Sequence, residues 1–309
     1  MKIAVIGVGG VGGYFGGRLA QAGADVTFIA RGSHLAAMQE RGLTLESPNG
    51  DAHIQPIKAV LDAGEVGAVE AIIFAVKMRD TLAAAAAIEP LVRRGVSVFT
   101  FQNGIESAEQ IGKIVGEKNV IPGTAMIAAT IKQPAVISQT GTIARLTFGE
   151  PSGRASPRTD KFFALCKNAR IDAVLSDRIE WEVWNKFVHL SSFAGLTSLT
   201  RGPIGPVLAS PEARSLLEQA LSEATQVASA YGIEFSADSV SERLRFLQGL
   251  PPETTSSMSK DLIAGRPLEI HGLSGVIVRF GAANGVPTPI HRFIAGVLSV
   301  HADGTGASG

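Results

Sequence analysis

One cysteine in 309 residues, Cys166, leaves nothing with which to form an intramolecular disulfide, so the fold is not stapled and the thiol is expected buried and reduced. Charge of one sign is also missing: Lys plus Arg and Asp plus Glu are both 28, which gives no basic footprint for nucleic acid and no acidic tail. No uninterrupted apolar run approaches the roughly 18 residues needed to span a membrane. The apolar stretch after Met1-Lys2 is broken by Gly7, Gly9 and Gly10 with no cleavage region behind it, which argues against a secretory signal. The six histidines show no metal-ligand spacing, so no structural metal is expected. What remains is a cytoplasmic protein whose partner is a small molecule rather than nucleic acid or membrane.

The chain is long enough for two ordinary domains. Its first half alternates short β-branched runs with longer helix-like segments, the pattern of a parallel sheet covered by helices. Strands are expected at Lys2 to Ile6, Asp25 to Ala30, Ala71 to Val76, Val96 to Phe101 and Asn119 to Pro122, with helices such as Val11 to Ala22 and Arg79 to Val92 between them. Thr124 to Ile131, Ala135 to Gln139 and Thr142 to Phe148 are joined too closely for crossover helices and read as antiparallel additions, giving a sheet mixed at one edge. After the polar stretch Glu150 to Asp160 the strand signal fades into long helical patterns punctuated by Gly-Pro, Ser-Pro and Pro-Pro. The expectation is an α/β protein: a Rossmann-type dinucleotide-binding domain over residues 1–175, a mostly α-helical domain over 176–303, and a flexible tail over 304–309.

The run Gly7-Val8-Gly9-Gly10-Val11-Gly12 places G-x-G-x-x-G directly after a β-run and at the opening of a helix. Gly7 permits the tight turn, Gly9 removes a side chain where a pyrophosphate approaches, and Gly12 lets helix and strand pack closely. The end of the second strand, where NAD enzymes place a carboxylate for the ribose hydroxyls, reads Ala30-Arg31-Gly32-Ser33. Arg31 can fork onto a phosphate and Ser33 adds a hydroxyl, so NADPH is expected over NADH. Lys77 and Asn103 follow the third and fourth parallel strands, where ligands gather in open α/β sheets; Asn103-Gly104 is equally explained as turn chemistry.

In the helical pattern Ile179 to Leu196, Lys186 is the last charged side chain before Arg201. It admits two readings. Glu182 stands four residues earlier, in the favourable order for a surface ion pair. Alternatively, flanked by Trp184 and Phe187, Lys186 is partly desolvated and its pKa falls toward use as a proton donor. Glu269 lies at the start of a helix expected over Leu268 to Ala283, where a carboxylate also complements the helix dipole.

Taken together, the glycine-rich turn with Arg31, the Asn103-Gly104 turn, Trp184-Asn185-Lys186, and Ser256-Ser257-Met258 followed by Asp261 and Glu269 resemble the ketopantoate reductase (2-dehydropantoate 2-reductase) family across nearly the whole chain. The resemblance implies NADPH-dependent reduction of ketopantoate to pantoate, in pantothenate biosynthesis. It implies Lys186 as the catalytic lysine, Glu269 as the substrate-hydroxyl contact, Ser257 as the substrate-carboxylate contact and Asn103 as an active-site asparagine. Arg31 and Lys77 fall on NADPH-binding positions. A homodimer is expected. The chain departs from the family pattern at Leu190 and Ala194, where many members carry asparagines, and His189, Ser191 and Ser192 are the neighbouring polar candidates. A reductase of a different 2-oxo acid or hydroxyketone, and a non-catalytic NADPH sensor, are the other functions these residues allow.

Overall fold

The computed structural model describes residues 1–305, and the chain divides into two compact units, Met1–Val183 and Trp184–Gly309. In the first unit the elements run β1 (Ile3–Ile6), α1 (Gly10–Gln21), β2 (Val26–Ile29), α2 (Gly32–Arg41), β3 (Leu43–Glu46), β4 (Ala52–Ile54), β5 (Lys58–Val60), β6 (Ala71–Phe74), α3 (Thr81–Val92), β7 (Ser97–Thr100), α4 (Ser107–Val115), β8 (Val120–Gln133), β9 (Val136–Phe148), α5 (Pro157–Asn168) and β10 (Asp172–Leu175).

Among the described residues these strands form one sheet in the order β4-β3-β9-β8-β7-β6-β1-β2-β5, with β10 beside β9. The pairs from β5 through β2, β1, β6 and β7 to β8 are all parallel. The pairs β8 with β9 and β3 with β4 are antiparallel, so the sheet is mixed on one side as expected. The central strands read as continuous apolar runs because both faces are covered. On β1, Ile3 and Val5 enter one core with Phe15, Phe28, Phe99 and Phe148, while Ala4 and Ile6 enter another with Ile72, Phe74, Ile88 and Val98. Cys166 is buried in the first of these cores, where desolvation pushes its thiol up to about 12, well removed from thiolate chemistry.

Several sequence expectations change in detail. The runs ending at Pro122 and beginning at Thr124 are one long strand, β8, that leaves β7 and continues along β9. Gly123 makes this continuity possible, since a Cβ there would stand 2.7 Å from the Phe101 ring. Likewise Ala135 to Gln139 and Thr142 to Phe148 are one strand, β9, whose register slips between Ile127 and Ala128 of its partner and takes up the extra residues. The short strands β3, β4, β5 and β10 were not expected. They border the apolar centre and lack its long β-branched runs.

The second unit opens within α6 (Ile179–Leu199) and continues through α7 (Ile204–Ala209), α8 (Pro211–Ala230), α9 (Ser239–Gln248), α10 (Ser257–Ile263), α11 (Ser274–Ala283) and α12 (Pro289–Ser299). The division between the two compact units falls inside α6. Arg178 lies over the Trp181 ring at 4.2 Å and pairs with Glu182, so the first turns of α6 are held by their own side chains. In the second unit Leu217, Leu221, Val227, Ile277, Ile294 and Leu298 are buried. There the Glu223 carboxylate accepts the Ile290 and His291 N–H groups at 2.8 and 3.0 Å, capping α12. Of the expected flexible tail, Gly304 and Thr305 are tied down: the Thr305 N–H donates to the Gly265 carbonyl at 3.0 Å. Residues 306–309 lie outside the described residues. No helix among the described residues is long and apolar enough to cross a membrane.

Candidate functional site

In the first unit, four parallel strands end side by side in the order β7-β6-β1-β2, and each is followed by a residue singled out from the sequence. Asn103 follows β7, Lys77 follows β6, Gly7 follows β1 and Arg31 follows β2. Parallel pairing puts all four on one edge of the sheet, the edge where open α/β sheets bind ligands.

The turn after β1 has the shape a pyrophosphate requires. Gly7 has φ +91°, and a Cβ there would lie 2.5 Å from the Ala75 carbonyl carbon and the Val76 nitrogen. A Cβ on Gly12 would collide with the Gly7 carbonyl oxygen, so α1 sits directly on the turn. Gly9 is different, because among the described residues no atom beyond its own chain neighbours lies within 4 Å of where its Cβ would be. That opening lies at the N-terminus of α1, whose cap residue, Gly9, supplies no side-chain hydrogen bond. Val8 beside it is buried, and Gly10 and Val11 begin the helix with main-chain N–H groups in its first turn.

Arg31 is exposed and forms the N-cap of α2, so it leads a helix rather than standing in a loop, with Ser33 exposed in the first turn. No carboxylate occupies the end of β2. Lys77 is exposed immediately after Val76. Asn103 is half-buried ahead of Gly104, whose φ of +85° is the turn chemistry foreseen from Asn-Gly, and its carbonyl accepts from Ser107 Oγ at 3.2 Å. The donor set thus fits a phosphorylated dinucleotide. Sequence reasoning missed Gln102, which is buried and donates from Nε2 to the Val76 carbonyl at 3.0 Å and to Thr81 Oγ1 at 2.8 Å. It ties together the ends of β6 and β7 that present Lys77 and Asn103.

In the second unit Lys186 follows the buried Trp184 and precedes the buried Phe187 on α6. Desolvation lowers its pKa to about 8, opposed by the carboxylate of Glu269. Of the two readings left open, the surface pair with Glu182 is overturned: Glu182 pairs with Arg178 at 3.9 Å, and the carboxylate that acts on Lys186 is Glu269, far along the chain. Glu269 does not open a helix as expected. It precedes a single 3₁₀ turn, Ile270–Gly272, and α11 begins only at Ser274, beyond Leu273 with φ −111° and ψ −101°. The irregular backbone at Leu273 breaks what the apolar pattern presented as one helix.

The serine pair divides its work. Ser256 is buried as the N-cap of α10, accepting from Ser259 N at 3.0 Å and from Thr197 Oγ1 at 2.9 Å. Ser257, the first helical residue, is exposed. Asp261 pairs with Arg266 at 2.7 Å. Beyond Lys186, Leu190 is half-buried and Ala194 buried, while Ser191 and Ser192 donate back to the Val188 carbonyl at 3.2 and 3.1 Å. These two hydroxyls therefore do not stand in for carboxamides. Arg243 was also missed: it is buried, lies over the Phe235 ring at 4.1 Å and donates from Nη2 to Asn185 Oδ1 at 3.0 Å. No local signal in α9, a mostly polar segment, marks it. Among the described residues no cluster of three or more His, Cys, Asp or Glu side chains could hold a metal ion.

Comparison with known proteins covers both units. Residues 3–153 match the family Ketopantoate reductase PanE/ApbA, and residues 178–302 match Ketopantoate reductase PanE/ApbA C terminal. The chain is 27% identical to an uncharacterized oxidoreductase, YkpB, of Bacillus subtilis strain 168, over 97% of this chain and 99% of that one. It is 30% identical to a 2-dehydropantoate 2-reductase of Mesorhizobium japonicum, over 94% of each. The crystal structure of a PanE/ApbA family ketopantoate reductase from Ralstonia eutropha JMP134 superposes with a TM-score of 0.90 at 28% identity, covering 98% of both chains.

Proposed function

This chain belongs to the ketopantoate reductase PanE/ApbA family, NADPH-dependent oxidoreductases acting on CH–OH groups, and we propose that its reaction is the reduction of ketopantoate to pantoate with Lys186 as the proton donor. The observation that supports this reading is the ammonium of Lys186, desolvated to a pKa of about 8 while Glu269 holds it from falling further. An acid of that strength is mostly protonated at neutral pH and gives up its proton readily.

The first unit holds the cofactor. Main-chain N–H groups of Gly9, Gly10, Val11 and Gly12 receive the pyrophosphate over the open face of Gly9. Arg31 takes the additional phosphate that distinguishes NADPH, and Lys77 and Asn103 line the same edge. When bound, the nicotinamide supplies the hydride that adds to the substrate's carbonyl carbon. Lys186 stabilises the charge growing on the carbonyl oxygen and then protonates it. Glu269 accepts from the substrate's hydroxyl, and the exposed hydroxyl of Ser257 donates to its carboxylate.

One observation favours a second reading in which the substrate is another 2-oxo acid. Leu190 and Ala194 offer no hydrogen bonds on the helix face that follows Lys186, so an apolar substituent is accommodated there. For the assembly we propose a homodimer, supported by Phe293, Val297 and Val300, exposed apolar side chains at helical spacing on and just after α12; sedimentation velocity tests it.

Following NADPH oxidation with ketopantoate and a panel of 2-oxo acids, in wild type and Lys186→Ala, tests the reaction. Saturable turnover of ketopantoate that falls by roughly a hundredfold or more in the variant is expected. Turnover of a different acid alone moves the assignment to the second reading, and NADPH binding without turnover of any acid overturns both.

A further inference from the structure

The carbonyl groups on either side of Lys77 are both held by one buried side chain. Gln102 Nε2 donates to the Val76 carbonyl at 3.0 Å and to Thr81 Oγ1 at 2.8 Å. Thr81 Oγ1 in turn donates to the Met78 carbonyl at 2.7 Å. A carbonyl oxygen only accepts, so every bond has a fixed direction: the NH2 group of Gln102 faces Val76, and the hydroxyl proton of Thr81 faces Met78. Between them the Lys77 carbonyl accepts the Asp80 N–H at 2.8 Å. Three successive carbonyls thus have donors, and Lys77 is held at φ −64° and ψ 147°, directly before the 3₁₀ turn Met78–Asp80.

The network is buried although Lys77 is exposed, since Gln102 and Thr81 are both shielded from solvent. A side chain that only filled space here would be apolar, as Phe99 and Phe101 on the same strand end are. Gln102 instead buries Oε1, which has no hydrogen-bond partner among the described residues. An unmet buried acceptor is destabilising. What the residue contributes is its pair of N–H donors, and both are directed at the segment that carries Lys77. The Ala75–Val76 peptide at the head of that segment is also the surface that Gly7 abuts, so the same anchor steadies the wall of the phosphate turn.

We propose that Gln102 is a positioning residue for the cofactor, acting through Lys77 by fixing the backbone from which that ammonium reaches the dinucleotide. This rests on the reading of Lys77 as a cofactor contact. A lysine ammonium is a point charge on a flexible four-carbon stem, so its hold on an anion depends on where the stem begins. A backbone already ordered by three accepted hydrogen bonds leaves less to be ordered when the cofactor binds. Loss of the Gln102 donors releases the Val76 carbonyl and the Thr81 hydroxyl together, and the turn that carries Lys77 is no longer tied to the end of β7.

A double-mutant cycle on NADPH affinity tests this, with Gln102→Met, Lys77→Met and the two combined, read by fluorescence titration with Tm from calorimetry alongside. Lys77→Met is expected to weaken NADPH binding about tenfold and Gln102→Met about fivefold. The combined variant is expected to bind no more weakly than Lys77→Met alone, because the placement of an absent ammonium has no effect. A lower Tm with unchanged affinity in Gln102→Met, or losses that multiply in the combined variant, overturns the proposal and leaves Lys77 as a cofactor contact. Unchanged affinity in Lys77→Met overturns both. Thr81→Val removes the second leg of the network and leaves Gln102 in place, so it serves if Gln102→Met does not fold. It is expected to weaken affinity in the wild-type background but not in Lys77→Met, and a loss that persists undiminished there overturns the proposal.

Discussion

Arg243 donates from Nη2 to Asn185 Oδ1 at 3.0 Å, and Asn185 immediately precedes Lys186. The guanidinium is buried, stacked on Phe235 and bonded to the Ser239 carbonyl, so it joins α9 to the segment of α6 that bears the proposed proton donor.

Replacing Arg243 by Met strands Asn185 Oδ1 without its charged donor. A buried hydrogen bond to a charged group contributes about 1.5–3 kcal/mol, so Arg243→Met is expected to lower unfolding stability by that order. Urea denaturation checks this. Arg243→Lys does not rescue it, because an ammonium cannot make both bonds and stack on Phe235.

The glycines of the first turn separate binding from folding. Gly9 faces open space and Gly12 faces the Gly7 carbonyl. Gly9→Val is therefore expected to keep the wild-type Tm while weakening NADPH affinity by at least about tenfold, as a side chain enters the phosphate's place. Gly12→Val is expected to lower Tm itself. Calorimetry and cofactor titration on the two variants, side by side, distinguish these outcomes.

Much of the first unit was legible in the sequence because its signals are local. A β-branched run ending in Gly7 and an Arg31 where a carboxylate otherwise stands are read directly, and parallel pairing of β2, β1, β6 and β7 follows from apolar runs separated by helices. The second unit was less legible because its contacts are distant in sequence. Glu269 acts on Lys186 across more than eighty positions, while Glu182, four residues away, offered an equally good local story. Asn185 meets Arg243 fifty-eight residues on, and nothing in the pattern of α9 announces a buried guanidinium. At Leu273 an irregular backbone interrupts a run whose apolar residues recur at helical spacing, a break that periodicity alone does not encode.

Stability is expected to decline on mild acidification. His291 is fully buried, with Nε2 bonded to the Ala220 carbonyl and Nδ1 to Ser274 Oγ, and burial pulls its pKa to about 4. Desolvation brings His189 to a similar value. Both folded pKa values lie below the unfolded one, so the unfolded chain binds the protons first. The contribution is fully present above about pH 6.5 and is lost as pH falls toward about 4, by on the order of 3 kcal/mol for His291. Glu223, whose pKa burial raises, works in the opposite direction and offsets part of the loss. Urea midpoints across this range are expected to fall, and His291→Gln is expected to flatten the dependence.

The pH profile of kcat/KM in wild type and Glu269→Gln addresses the role of Lys186 most directly. Only the ammonium form donates a proton, so wild-type activity is expected to fall as pH rises through about 8. Glu269 raises the Lys186 pKa, and its neutral replacement is expected to move that limb to lower pH, beyond any uniform loss in rate. A limb that stays in place in Glu269→Gln, or wild-type activity that rises through this range, would contradict a lysine poised as proton donor by desolvation and held by Glu269.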